Sequence, residues 1–303
     1  HKNFARAAKK VIIDIDQAEL KKFKFETALA INASADEFIN ECLSQLEKFD
    51  VGEWLKQCQR WQQKYPIILR EHWQKKDYVS NYALVDVLSD LTNSNDIIIT
   101  GSAGACSEVF NQCFRVKDGQ QIFYMPGLGA MGCGLPASIG GALASEYKRT
   151  ICINGDGGFQ LNIQDLATIK ELNLPIKFFI LNNQGYGSIR NSQRNFFKGF
   201  FVASDPSSKV ILPDTAKIAA AYGIKYLVMK NNAKIKAKVA ETLVYDGPVI
   251  CEVMIDPNEA TMPKTSSQVL PDGRMVSKPL EDLWPFLERE EFKANMIIEP
   301  LQE

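Results

Sequence analysis

The chain has 303 residues, with 35 Lys plus Arg against 36 Asp plus Glu, a formal net charge of −1, and 46% hydrophobic residues. That length can bury a substantial core in one large domain with an appendage or in two domains. Balanced charge without a large basic block argues against nucleic acid or an anionic membrane as partner. His1 and His72 are the only histidines, which nearly excludes a Ser-His-Asp or Cys-His site and points to a cofactor as the carrier of the chemistry. The seven cysteines (42, 58, 106, 113, 133, 152, 251) form no C-x-x-C pair or zinc-like quartet and read as reduced, buried side chains of a cytoplasmic protein. No apolar run approaches the roughly 20 residues needed to span a bilayer, and no charged leader with a cleavage site opens the chain.

In chain order, Lys9-Lys-Val-Ile-Ile-Asp14-Ile-Asp16 predicts a strand, and Phe38, Ile39, Cys42, Leu43 and Leu46 predict a helix over residues 36–49. The first residue is not Met, so a piece of a longer chain is expected. Asp14 and Asp16 stand at a strand end, either beside a nucleotide or without such a role. Residues 51–76, with polar clusters around Trp54, Trp61 and Trp73, read as a linker, and His72 there as a packing or surface residue. Asp96-Ile-Ile-Ile-Thr100 predicts a strand entering the small-residue loop Gly101-Ser-Ala-Gly-Ala105, with a helix over 108–114. Gly127, Gly129 and Gly132 then match the G-x-G-x-x-G pattern of dinucleotide folds. Pro126 stands where the tight turn should begin, and position 152 is Cys rather than an acidic residue, so nicotinamide binding ranks low. Pro136 suits a first helical turn. Met131 without its glycine neighbours would read as an ordinary core methionine.

Arg149-Thr-Ile-Cys-Ile-Asn-Gly155 predicts a strand that places Asp156 on the loop leaving it. Glycines at 155, 157 and 158 let backbone N–H groups approach phosphate oxygens. A helix is expected from Asn162, capped by its side chain and stapled by Leu161 and Leu166, with Ile163, Ile169 and Leu172 also on its apolar face. The run Ile176-Lys-Phe-Phe-Ile-Leu181 predicts a buried parallel strand that delivers Asn182 and Asn183 to its C-terminal end. Strand, helix and strand make one right-handed βαβ unit, so Asp156 and Asn183 should face one crevice. Either motif alone is usually a turn or a strand exit; together they suit a divalent cation held against a diphosphate. In Gln184-Gly-Tyr186-Gly187-Ser188, the Gly187 and Ser188 N–H groups are phosphate candidates, while Tyr186 either packs or joins the site. Residues 191–210, with Phe196, Phe197, Phe200 and Phe201, read as a lid or subunit contact, or as an ordinary packed loop. A helix over 214–222, a strand over 224–228, a helix over 232–243 and a strand over 248–255 complete a doubly wound, mainly parallel α/β sheet with helices on both faces.

Gly155-Asp-Gly157, followed after 24 intervening residues by Asn182-Asn183, resembles thiamine-diphosphate (ThDP) dependent enzymes, specifically the pyrophosphate-binding domain of the acetolactate synthase-like group. The resemblance implies that Asp156, Asn183 and the carbonyl of Gly185 bind Mg²⁺. It implies that Gly101, Ser102, Ala103 and Gly104 wrap the diphosphate, with Gly155, Gly157, Gly158, Tyr186, Gly187 and Ser188 completing the phosphate shell. Met131 would be the apolar wedge under the bent cofactor, its backbone and that of Gly129 holding the aminopyrimidine. Gly104-Ala105 departs from the Gln-His often found in acetolactate synthases, which removes one polar group from the diphosphate.

By the same resemblance, residues 1–50 are the end of a Rossmann-like central domain, 51–76 the linker, 77–257 the pyrophosphate-binding domain, and 258–303 a tail that covers the cofactor. FAD, carried by some central domains, is left open. The implied reaction is decarboxylation of a 2-oxo acid, pyruvate first, with transfer of the two-carbon unit to a second carbonyl; a sugar-type ketone acceptor is a close variant. The alternatives are a simple 2-oxo acid decarboxylase and a non-catalytic ThDP-binding fragment. The activating Glu is expected on a pyrimidine-binding domain, which no segment here matches. The site would then be completed by another chain or a missing N-terminal part, most simply in a homo-oligomer.

Overall fold

The computed structural model describes residues 3–101, 104–125, 127–269 and 272–301, which divide into two compact units. The first unit begins with β1 (Val11–Asp14), α1 (Gln17–Leu20), β2 (Leu29–Asn32), α2 (Ala35–Gln45) and α3 (Gly52–Lys64). β1 and β2 pair in parallel, and the Asn32 side chain donates to the carbonyls of Asp14 and Ile15. Asp14 and Asp16 fold the local turn: Asp14 accepts from the Asp16 N–H, and Asp16 caps α1 through the Ala18 N–H. Ser34 caps α2 in a reciprocal capping box with Glu37, so the helix starts one residue before the predicted 36. β2 is not foreseen from the sequence, because its four residues are mostly exposed and carry no alternating pattern.

The second unit opens with α4 (Arg70–Gln74), α5 (Asn81–Leu91), β3 (Ile97–Thr100), α6 (Glu108–Cys113), β4 (Gln121–Phe123) and α7 (Gly134–Ala144). It continues with β5 (Thr150–Gly155), α8 (Asp156–Phe159), α9 (Asp165–Glu171), β6 (Ile176–Asn182) and α10 (Gly187–Phe196). Then come α11 (Thr215–Ala221), β7 (Lys225–Met229), α12 (Ile235–Val244), β8 (Val249–Met254), β9 (Ser267–Val269) and β10 (Met275–Ser277). α13 (Arg289–Asn295) returns to the first unit, where Trp61 donates to Asn295 and Tyr65 to Glu291.

Six strands form one all-parallel sheet in the order β4-β3-β5-β6-β8-β7. The two-residue period of a strand sends alternate side chains to opposite faces. Ile151 and Ile153 of β5 and Phe179 and Leu181 of β6 pack with α5, α6 and α12 residues such as Leu84, Phe110 and Val239. Cys152, Phe178 and Ile180 pack on the other side with Leu135, Leu166 and Ala219 of α7, α9 and α11. Both faces are covered, which is why β5 and β6 read as continuous apolar runs. The sheet is the doubly wound, parallel α/β fold expected. Because β3 connects outward to β4 and the chain then crosses back to β5, the strand order reverses between β3 and β5. Open α/β sheets bind ligands at such a switch, beyond the strand C-termini.

Several local expectations are corrected. Asn162 does not cap a helix: the chain turns helical at Asp156 directly after β5, and the Asn162 amide donates to the Gly132 carbonyl at 2.9 Å. Leu161 is half exposed while Leu166 is fully buried, so they do not staple the helix. Residues 191–196 belong to α10 rather than to a loop. Residues 51–76 hold α3 and α4, and the two units divide within them, between Tyr65 and Pro66. His72 is a packing residue, buried and stacked on Tyr82 at 4.0 Å between ring centroids. The residues Gly127, Gly129 and Gly132 lie between β4 and α7, well removed from the direct strand-to-helix turn of a dinucleotide fold. None of the seven cysteines forms a disulfide. Among the described residues no helix is long and apolar enough to cross a membrane.

Candidate functional site

β5 and β6 pair up to Gly155↔Leu181, so the residues leaving their ends, Asp156 and Asn183, emerge side by side. They line a cavity of about 150 Å³ built from four strand exits: 104–109 after β3, 154–158 at the end of β5, 183–189 after β6 and 255–259 after β8. Asp156 is 8% exposed. One carboxylate oxygen accepts from the Gly157 N–H at 2.8 Å and the other from the Gly185 N–H at 3.0 Å. Burial pushes its carboxyl up from 3.8 to about 6, against the opposing pull of those amides and of the Arg190 charge. A buried carboxylate that is hydrogen-bonded to amides and feels a guanidinium it does not touch is poorly compensated, which is the electrostatic condition a bound cation relieves.

Asn183 presents a complementary deficit. Its Oδ1 is buried without a hydrogen-bond partner among the described residues. Gly185 sits beside both, at φ +140°, and a Cβ there would come to 2.3 Å from the Ser204 carbonyl oxygen. Only glycine fits that backbone position, so the turn that brings Gly185 to Asp156 is fixed by residue type. Gly157 is similarly crowded: a Cβ would meet the Tyr186 ring at 2.5 Å. The Tyr186 hydroxyl accepts from the Gln160 amide at 3.0 Å, which ties the β6 exit to the β5 exit.

Of the cofactor residues expected from sequence, Gly104, Met131, Gly155, Gly157, Gly158, Tyr186, Gly187 and Ser188 line this cavity together with Asp156, Asn183 and Gly185. Gly101 does not; it packs on Asn154, whose Oδ1 would lie 2.6 Å from an added Cβ. Gly129 also stands outside it, forming a turn closed on the Met125 carbonyl at 3.1 Å. Ser102 and Ala103 lie outside the described residues. The tail contributes Glu259 and Thr261, but no described residue beyond Thr261 reaches the cavity; β9 and β10 pair with each other instead. Among the described residues no cluster of three or more His, Cys, Asp or Glu is placed to hold a metal, so an ion here would rely on mixed oxygen donors.

The sequence reading missed three lining residues that have no motif. Asn81 and Asn154 are almost fully buried, and each leaves one amide atom without a partner among the described residues. Glu259 accepts from the Ser80 hydroxyl at 2.9 Å and the Asn81 N–H at 2.8 Å, and pairs with Lys75 at 3.2 Å, which anchors the segment after β8 on the start of α5. These contacts join residues distant in the chain, and only the fold brings them together.

A parallel sheet with glycine-rich exits beside its switch point and a carboxylate–carboxamide pair on the neighbouring ends of β5 and β6 defines a class of α/β proteins that bind phosphorylated cofactors. The chain belongs to the thiamine pyrophosphate enzyme family: the family's C-terminal TPP binding domain matches residues 102–253. It is similar to acetolactate synthase isozyme 1 large subunit of Escherichia coli K12, 31% identical over 261 residues that cover 86% of this chain and 45% of that protein. It is also similar to acetolactate synthase 1, chloroplastic, of Nicotiana tabacum (32% over 274 residues, 87% of this chain and 40% of that protein). A further relative is acetolactate synthase 2, chloroplastic, of Zea mays (32% over 277 residues, 87% and 42%). The chain thus spans less than half the length of each of these relatives.

The residues present fit the family's cofactor. Glycines 104, 157, 158 and 187 line the cavity, where backbone groups could meet a diphosphate, and the unpartnered Asn183 Oδ1 and the under-compensated Asp156 line it too, as oxygen donors that could hold a cation.

Proposed function

We propose that this chain supplies the diphosphate and Mg²⁺ half of a ThDP-dependent, acetolactate synthase-like enzyme. The enzyme decarboxylates a 2-oxo acid, pyruvate first, and passes the two-carbon unit to a second carbonyl. The observation that carries this reading is the convergence of Asp156, Asn183 and Gly185 on one cavity at the ends of β5 and β6. In it, the Asp156 carboxylate, Asn183 Oδ1 and the Gly185 carbonyl hold Mg²⁺. Backbone groups of Gly104, Gly157, Gly158, Gly187 and Ser188 orient the diphosphate, and Met131, which is 45% exposed on the cavity wall, supports the cofactor body. When bound, ThDP supplies the electron sink that lets a 2-oxo acid lose CO₂. The residues of this chain bind and orient; none is assigned a proton transfer. FAD is no part of this proposal.

The activating carboxylate belongs, in this reading, to a pyrimidine-binding domain on another chain or on an N-terminal portion, and a homo-oligomer brings the halves together. Cysteines outside disulfides suit a reducing cytoplasmic setting. The test is complementation: this chain alone is expected to show little pyruvate consumption, and mixing it with a chain that bears the pyrimidine-binding domain restores consumption with a branched hydroxy-oxo acid as product. Aldehyde release would favour the simple decarboxylase, and strong turnover by the isolated chain would contradict the half-site reading.

A further inference from the structure

We propose that Arg190 is a positioning residue for the metal-binding loop, setting the placement of Asn183 by holding that residue's own carbonyl and tying it to the segment that leaves β8. The inference rests on the reading of Asp156, Asn183 and Gly185 as the Mg²⁺ set.

Arg190 lies on α10 and is 3% exposed. Its Nη2 donates to the Asn183 carbonyl and to the Pro257 carbonyl, both at 3.0 Å. Because β6 and β8 are neighbours paired to Asn182↔Met254, one guanidinium staples two adjacent strand exits on the rim of the cavity. The same helix controls the Asn183 side chain. A Cβ on Gly187, the first residue of α10, would come to 2.6 Å from Asn183 Nδ2, so the amide nitrogen is packed against the helix start while Oδ1 is left buried and without a partner. Backbone and side chain of Asn183 are therefore both held from α10, and the oxygen is the atom not engaged.

The chemistry of Arg190 itself points to a ligand. Burying a guanidinium is costly unless charge and hydrogen bonds compensate it. Its side-chain hydrogen bonds go to main-chain carbonyls; among the described residues none goes to a carboxylate, and Nε is buried without a partner. A staple of two loops needs no charge. Asp205 and, less strongly, Asp156 attract that charge, and the negative charge expected in front of Asn183, where Asp156 and a diphosphate meet, would add to them. Arg190 does not touch that ligand in this account; it acts through Asn183, as groups behind metal ligands commonly do.

The test uses the full chain with saturating ThDP and follows Mg²⁺ titration by calorimetry, alongside thermal melting. Arg190→Met is expected to raise the Mg²⁺ half-saturation by about tenfold to a hundredfold, the range typical of residues that orient metal ligands. Arg190→Gln, which keeps a neutral donor and disturbs packing less, should raise it several-fold and carries the test if the Met variant does not melt cooperatively. In an Asn183→Ala background, Arg190→Met should add less than about twofold, because coupled residues are non-additive. Wild-type half-saturation in a cooperatively melting variant, or a full additional loss on Asn183→Ala, would overturn the assignment while leaving the Mg²⁺ site intact. A wild-type chain that binds no Mg²⁺ with ThDP would instead overturn the metal reading and this inference with it.

Discussion

The two ends of the central sheet treat buried charge in opposite ways. At the amino-terminal end, Arg149 grips Asp96 with two hydrogen bonds of 2.7 Å, and Lys177, 2% exposed, donates to the carbonyls of Tyr245 and Gly247 at 2.6 Å each. At the carboxyl-terminal end, Asp156 has backbone amides and no direct cation, and Asn183 Oδ1, Asn154 Nδ2 and Arg190 Nε have no partner among the described residues. One end is satisfied internally and serves stability. The other is left incomplete, which is the signature of a surface whose partner is a ligand.

Breaking the satisfied end should have the largest effect on folding. Asp96→Ala strands the Arg149 guanidinium and the Asn93 N–H that Asp96 also accepts. We expect a loss of about 3 kcal/mol in denaturant unfolding, at the low end for buried pairs because Arg149 retains some solvent contact. The Mg²⁺ affinity of the remaining folded protein should be unchanged.

At the incomplete end the sign reverses. The Asp156 carboxyl, at 3.8 unfolded and about 6 folded, binds more protons in the folded state between those values. The contribution of this carboxyl to metal-free stability is therefore fully present below about pH 4 and lost as pH rises through about 6. Asp156→Asn removes that penalty but leaves one of two amides without its acceptor, so we expect a net gain of about 1–2 kcal/mol at pH 8 in urea unfolding without Mg²⁺. Unchanged or lower stability would show that the site is not a stored cost.

The smallest effect is expected from Lys177. Burial lowers its ammonium from 10.5 to about 8, so between those values the unfolded chain holds more protons and stability should rise with pH. Between pH 7 and pH 9 only the first part of that window is crossed, so the rise should be about 1 kcal/mol and absent in Lys177→Met.

The sequence carries the satisfied architecture well, because burial on two faces leaves a mark in composition. Ile151 to Ile153 and, Lys177 apart, Ile176 to Leu181 are apolar regardless of which helix covers them, and glycines 157 and 185 are demanded by crowding and local backbone. Asn162 was misassigned because its residue type is a good cap; the helical start at Asp156 uses Gly155 with no side-chain bond, and a cap of that kind has no letter in the sequence. Helix α10 reads as a loop from residue 191 because Asn-Ser-Gln-Arg-Asn carries almost no apolar periodicity; it is Arg190 alone of its residues that is buried. Asn81, Asn154, Arg190 and Glu259 were invisible as site residues for a different reason: what qualifies them is long-range contact, not spacing.

The central claim is that Asp156 and Asn183 form a cation site that completes the carboxyl-terminal end of the sheet. Calorimetric titration of ThDP in the presence and absence of Mg²⁺, on wild type and Asp156→Ala, tests it most directly. The account predicts Mg²⁺-dependent binding by wild type and its loss in Asp156→Ala; equal binding by both proteins, or binding indifferent to Mg²⁺, would contradict it.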